Sequence, residues 1–209
     1  MRSSDMIYET GFGETREVVL PDQSVVTLNA KSTIAFSKDN WQEERNVKLD
    51  GEAFFSVQKG EKFQVVTGSG TVTVLGTQFN VKDRNQFYEV TCYEGKVQVA
   101  ANSSPVQLTA KHAYREVHKK AMQSLMEIAV TPTWFNNESE FESVPFQEVL
   151  RELERQYEVT INTKDIDVTQ LYTGRFPNTD LTTALKSVTI PFGLTYQVND
   201  KEILIMHGD

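Results

Sequence analysis

A single cysteine in 209 residues, Cys92, excludes an intrachain disulfide and any metal site built on cysteines. Lying between Val90 and Tyr93 in an alternating stretch, it reads as a small buried apolar residue. Histidine is scarce as well. His112, His118 and His207 have no carboxylates at metal-ligand spacing and read as surface residues. No run approaches the ~18 apolar residues needed to cross a bilayer, and the opening MRSSDMIYETG has no apolar segment of the signal-peptide type. No G-x-S-x-G or comparable nucleophile setting occurs. Basic charge is in deficit: 21 Lys and Arg face 29 Asp and Glu, for a net charge of -8. No basic stripe is present to neutralise the phosphates of a duplex, so a nucleic-acid partner is not expected. Catalytic, metal and cofactor sites are likewise not expected.

What remains is ordinary globular composition, 39% hydrophobic and 24% charged, in a chain long enough for two modest domains. From about Thr15 to Ala100 apolar residues alternate in short runs, among them Val26 and Leu28, Ile34 and Phe36, Val47 and Leu49, Phe63 and Val65. Turn signals separate them at Pro21-Asp22, Asp50-Gly51, Lys59-Gly60, Gly68-Ser-Gly70 and Glu94-Gly95. The first half is therefore all-β, a sandwich, a barrel or a coiled solenoid of sheets.

Gly68-Ser-Gly70 has the spelling of a nucleotide-binding turn, yet such a turn must open a helix. The text that follows, TVTVLGTQFNV, is β-branched and alternating, so a hairpin turn is expected instead. The alternation slips by one residue between Val74 and Leu75, which marks a bulge or corner at Gly76.

Residues 119–133 change character and read as a connection between domains of 9–118 and 134–209. Beyond them Phe146, Val149, Leu150, Leu153 and Tyr157 fall at i, i+3, i+4, i+7 and i+11, an amphipathic helix with Pro145 near its first turn. A second helix carries Leu181, Ala184, Leu185 and Val188 on the same skeleton 35 residues later, with Asp180 or Thr179 as cap and Pro191 as its end. Strands are expected at Val159 and Ile161, at Tyr172 to Phe176, at Leu194 to Val198 and in EILIM, with a tight turn at Asn199-Asp200. The second half is thus α+β, a tandem β-α-β pair plus one strand.

The strings LPDQSVVTLNAKSTIAF, LDGEAFFSV, VLGTQFNV and VTCYEGKVQV occur in this order over residues 18–99. They resemble the L-P-D-G, G-E-A-x-F-x-V, V-L-G-T-x-F-x-V and E-G-x-V motifs of FecR-type regulators, and place motif positions at Pro21, Asp22, Gly51, Glu52, Gly76 and Gly95. The tail is similar to the domain that often follows, itself related to the short N-terminal domain of secretins and TonB-dependent receptors. That family's W-x-x-G-x-x-x-F-x-x-x-x-L pattern falls on Trp134, Asn137, Phe141 and Phe146. Gln23 and Asn137 stand where Gly is usual, and Ser139 where an aromatic is common. Asn tolerates a left-handed backbone, whereas Gln23 suggests a turn that needs no positive φ.

The resemblance implies a sensor and not an enzyme, with a twisted, solenoid-like β domain followed by two helices packed between small sheets. It implies the periplasmic portion of a single-pass inner-membrane protein. This portion would receive a signal from the N-terminal signalling domain of a TonB-dependent outer-membrane transporter. A sigma factor would be held by a cytoplasmic segment upstream, and the membrane reached only through a helix that this chain lacks.

Small sheets leave open edges that accept a partner strand, and β-augmentation is the natural mode of contact. The candidate edges are Tyr172, Thr173, Arg175 and Phe176 in one strand, and Ile203, Leu204, Ile205 and Met206 in the last. A helix face bearing Glu148, Glu152 and Arg155 is an alternative surface. Glu138, Glu140 and Glu142 share one face of a strand, which supplies too few oxygens for Ca²⁺. The rival function is a β-rich module for carbohydrate or another small ligand, with Trp41, Tyr88, Tyr93 and Trp134 as aromatic platforms.

Overall fold

The computed structural model describes residues 5–102, 104–125 and 130–208, without the side chains of 121–125. The chain is mostly strand with two α-helices, and it divides into two compact units between Thr131 and Pro132.

The first unit holds β1 (Asp5–Glu9), β2 (Arg16–Val19), β3 (Val25–Leu28), β4 (Thr33–Ser37), β5 (Arg45–Ser56), β6 (Phe63–Val66) and β7 (Thr71–Val74). It continues with β8 (Gln78–Arg84), β9 (Phe87–Glu94), β10 (Lys96–Ala100), β11 (Val106–Thr109), β12 (His112–Val117) and β13 (Lys120–Leu125). These strands make two layers. One runs β1-β4-β5-β6-β7-β10-β11 and the other β2-β3-β5-β8-β9-β12-β13. Strand β5 belongs to both: its first half pairs with β4 and β6, and from Gly51 onward it pairs with β8 and, over Ala53–Ser56, with β3. All neighbours are antiparallel except β5 and β6.

Alternation explains why these short runs hold together. In β7 Val72 and Val74 are buried while Thr71 and Thr73 are half-exposed, and the other short strands repeat the pattern. The inward side chains of both layers meet in one cluster that includes Val26, Phe36, Val65, Phe79, Val90 and Val99.

The chain passes repeatedly from one layer to the other, and residues with positive φ mark these crossings. They are Gly13 between β1 and β2, Lys31 between β3 and β4, Gly51 within β5, Gly76 between β7 and β8, Gly95 between β9 and β10, and Lys111 between β11 and β12. At Gly76, with φ 156°, a Cβ would lie 2.7 Å from the Lys59 Cα, so no side chain fits. The bend is a change of layer and not a bulge inside a strand: β7 ends at Val74 and β8 starts at Gln78.

Gly68-Ser-Gly70 turns β6 into β7, with the Thr67 amide donating to the Gly70 carbonyl at 2.9 Å. The Ser69 amide and hydroxyl both donate to the Asp83 carboxylate, at 3.0 and 2.7 Å.

The turn at Gln23 differs from expectation. Gln23 has φ 67°, and its amide donates to the Leu20 carbonyl at 3.0 Å while the Leu20 amide donates to Ser24 at 2.8 Å. The hairpin between β2 and β3 has a short loop whose last residue is left-handed, the position that usually takes Gly. The turn needs the positive φ after all, and Gln adopts it. Asp22 braces it by accepting from the Ser24 amide at 3.0 Å and from Arg45 Nε at 2.8 Å.

The expected connection 119–133 also changes. Lys120–Leu125 is strand β13, paired along its length with β12, so this part belongs to the first unit's sheet. Residues 126–129 lie outside the described residues.

The second unit holds β14 (Glu138–Pro145), α1 (Phe146–Tyr157), β15 (Thr160–Thr163), β16 (Leu171–Pro177), α2 (Leu181–Thr189), β17 (Leu194–Asn199) and β18 (Glu202–His207). Phe146, Val149, Leu150 and Leu153 are buried along one stripe of α1, and Ala184, Leu185 and Val188 along α2. Asp180 caps α2, accepting from the Thr183 amide at 3.2 Å. After Thr189 the chain tightens into a 3-10 turn through Pro191, which cannot continue an α-helix.

Along the chain the elements run strand-helix-strand twice, but the strand partners are exchanged. Antiparallel β14 and β16 form one sheet, while β15 lies parallel to β18, which is antiparallel to β17. The strands flanking α1 thus pair with strands of the later half, β14 with β16 and β15 with β18, while β17 and β18 form a hairpin within that half.

Candidate interaction surfaces

Strand β18 is not an edge. It lies between β15 and β17, with Ile203 paired to Ile161 on one side and Val198 on the other. Its backbone donors and acceptors are committed to two ladders, so Ile203, Leu204, Ile205 and Met206 cannot take a partner strand. Ile203 and Ile205 are buried, with Leu204 and Met206 half-buried behind them. The unbroken apolar run ILIM, which does not alternate, is the sequence signal of a strand covered on both faces. The edges of this sheet are β15 and β17.

Among the described residues, strand β16 pairs only with β14 in its two-stranded sheet, and its second edge has no strand neighbour. Tyr172 and Phe176 point inward: Phe176 stacks on Phe141 at 5.5 Å, and the Tyr172 hydroxyl donates to the Ser187 carbonyl at 3.2 Å. Burial raises the Tyr172 pKa. Thr173 and Arg175 point outward. Thr173 Oγ1 accepts from the Ser143 amide at 2.9 Å where β14 bulges, and Arg175 meets Glu138 at 3.4 Å. Glu140 and Glu142 lie exposed on β14.

The acidic face of α1 is not an exposed surface. Glu148 is 9% exposed and Glu152 1%. Arg151 pairs with Glu148, Arg155 pairs with Glu152 at 2.7 Å, and Gln156 donates to Glu152 at 2.9 Å. Partners one turn along the helix neutralise these carboxylates in place, which lets them be buried.

The aromatic candidates are packing residues. Trp41 is 3% exposed and meets Phe36 and Phe63 edge-on at 5.5 and 6.0 Å. Tyr88 is buried against Tyr114, burial pushing its pKa well above the ordinary value, and Tyr93 meets Phe54. Trp134 is buried and lies edge-on to Phe135 at 4.5 Å. Trp41, Tyr88 and Trp134 are buried and leave no open face for a sugar ring to stack on, while Tyr93 is half-buried. A cleft of about 580 Å³ lies beside Trp41, between residues 41–46 and 58–64. Its guanidinium, Arg45, is already bound by Asp22 and by the Gln58 carbonyl at 3.0 Å.

The motif residues are architectural. Asp22 braces the first hairpin, while Gly51, Gly76 and Gly95 stand at changes of layer. Glu52, buried beside Gly51, accepts from Asn29 at 3.1 Å and Asn80 at 3.0 Å and pairs with Lys82 at 3.3 Å. Among the described residues no helix is long and apolar enough to cross a membrane.

Residues 6–98 match the family described as FecR protein, and residues 138–205 match FecR, C-terminal. Two crystal structures from Parabacteroides distasonis ATCC 8503, each described as a candidate anti-sigma factor, share the fold. One has a TM-score of 0.91 at 25% identity and the other 0.90 at 26%, and each comparison covers 98% of this chain and 100% of the other. No curated protein matches in sequence. With both family regions present in order, one over each unit, the chain belongs to the FecR family.

Proposed function

We propose that this chain is the periplasmic, signal-receiving part of a single-pass regulator. It takes its signal by contact with the N-terminal signalling domain of a TonB-dependent outer-membrane transporter. It controls a sigma factor through a cytoplasmic segment beyond this chain, and it carries no catalytic step. The observation that carries the reading is the ordered pair of family regions in a chain whose structural neighbours are candidate anti-sigma factors.

The second unit supplies the means of contact. Its sheets are two- and three-stranded, so each ends in edges whose backbone groups lack a strand partner. Strand β16 is the favoured acceptor, because Thr173 and Arg175 stand outward on it while Tyr172 and Phe176 anchor it from behind. A strand added there gains main-chain hydrogen bonds without disturbing the core.

The test is a pull-down of this chain with the signalling domain of each transporter encoded beside its gene, followed by titration calorimetry. One of those domains is expected to be retained, and Arg175→Pro to weaken it by blocking the edge. Retention of none, with sigma-dependent transcription unchanged when the regulator is deleted, overturns the reading.

A further inference from the structure

Two loops of the first unit stand side by side where β5 and β6 begin in parallel. The connection from β4 to β5, residues 38–44, is anchored by Trp41, packed edge-on against Phe36 and Phe63. The connection from β5 to β6, residues 57–62, forms the facing wall. Arg45 ties the two together: its guanidinium donates to the Gln58 and Glu61 carbonyls at 3.0 and 2.5 Å and pairs with Asp22. The cleft of about 580 Å³ lies between these walls, a size within the range of small-molecule sites.

Its lining decides what it can hold. With Arg45 and Asp22 satisfied by each other, no guanidinium is left to take an anion. The remaining charges, Glu43, Glu44 and Glu61 against Lys59 and Lys62, are of both signs and interspersed, so they set up no field that draws an ion of either sign. Four amide side chains share the lining, Gln42, Asn46, Gln58 and Gln64. Asn46 donates to Glu44 at 2.9 Å and Gln64 to Thr73 at 3.2 Å, which orients both amides and leaves their carbonyls to accept. Gln42 and Gln58 are exposed on the rim. An amide donates and accepts from one group, as a sugar hydroxyl does, whereas a charged side chain does only one of these. The floor adds a donor. Trp41 lines the cleft, and its buried indole N–H has no hydrogen-bond partner among the described residues, a state that buried donors ordinarily avoid.

We propose that this cleft binds a short uncharged oligosaccharide, whose hydroxyls are bonded by the four amides and one of whose oxygens accepts from Trp41 Nε1. The Trp41 ring stays packed against Phe36 and Phe63, so the sugar is held by its edges and not by stacking. All of these residues belong to the first unit, so a cleft that binds nothing leaves the sensor reading standing.

The experiment adds cellotriose, maltotriose or triacetylchitotriose to this chain, with chitosan trimer and trigalacturonate as charged counterparts, and follows the indole N–H signals by NMR. An uncharged trisaccharide is expected to move the Trp41 signal and not that of Trp134, with millimolar or tighter affinity that salt leaves unchanged. Gln42→Ala with Gln58→Ala is expected to weaken binding roughly tenfold, and Trp41→Phe, which keeps a packed ring and removes the N–H, roughly fivefold, both read on the sugar's own signals. Lys59→Ala with Lys62→Ala should leave the affinity within about twofold. No shift with any uncharged trisaccharide at millimolar concentration, equal or stronger binding of a charged one, affinity unchanged by loss of both glutamines, or a shift confined to Trp134 overturns the proposal.

Discussion

Gly51 and Ser32 are packed so closely that a Cβ on Gly51 would lie 2.8 Å from the Ser32 Cα and 2.6 Å from its Oγ. That hydroxyl is already engaged, accepting from the Glu52 amide and from Arg84 Nη2, each at 3.0 Å. Gly51 has φ 113°, where a side chain is strained whatever the space. Gly51→Ala is therefore expected to destabilise the first unit by about 3 kcal/mol. Urea unfolding measures it, with Lys48→Ala on the exposed face of the same strand as a control that stays within about 0.5 kcal/mol.

Gln23 gives the opposite sign. Its left-handed backbone costs a side-chain residue more than it costs Gly, and its turn is braced through Asp22 and not through Gln23 itself. Gln23→Gly should stabilise by about 0.5–1 kcal/mol, offset in part by the greater freedom of Gly in the unfolded chain. A rise in melting temperature reports it, and a fall would show that the side chain makes up for its backbone.

Glu52 is buried with two amide donors and an ammonium converging on its carboxylate. Glu52→Ala removes the acceptor for all three, and a loss of about 3 kcal/mol is expected. Glu52→Gln keeps one acceptor oxygen and should lose less. Chemical denaturation of the two variants side by side orders them, and equal losses would argue against hydrogen bonding as the cause.

Cys92 is buried, and burial pushes its thiol pKa up to about 11. Near pH 8 the group is overwhelmingly the unreactive thiol. Labelling by a thiol reagent should be slow in buffer and accelerate as urea approaches the unfolding midpoint. Fast labelling without urea would mean that β9 opens locally.

Alternation and helical spacing are local properties, and here they carry the strands between Thr15 and Ala100 and both helices, but not β1 or β11 to β13. Strand partnership is not local. Nothing near Ile203 announces that Ile161, far earlier in the chain, lies parallel beside it, although the non-alternating run of β18 does point to cover on both faces. Periodicity placed Glu148 and Glu152 on the polar face of α1 but could not report that the face is covered, because covering comes from tertiary packing. The break at Gly76 was visible in the register of its valines. The change of layer was not, since a layer is defined by partners distant in sequence. At Gln23 the residue type pointed the wrong way, and Asp22 one position earlier was the better guide to the turn.

Strand β5 is bonded to neighbours along its whole length, first to β4 and β6 and then to β8 and β3. Fraying its first half breaks ladders of one layer, and fraying its second half breaks ladders of the other. Its amides should thus exchange with solvent only when the entire unit opens, which makes the two layers a single cooperative body with β5 as its slowest-exchanging thread.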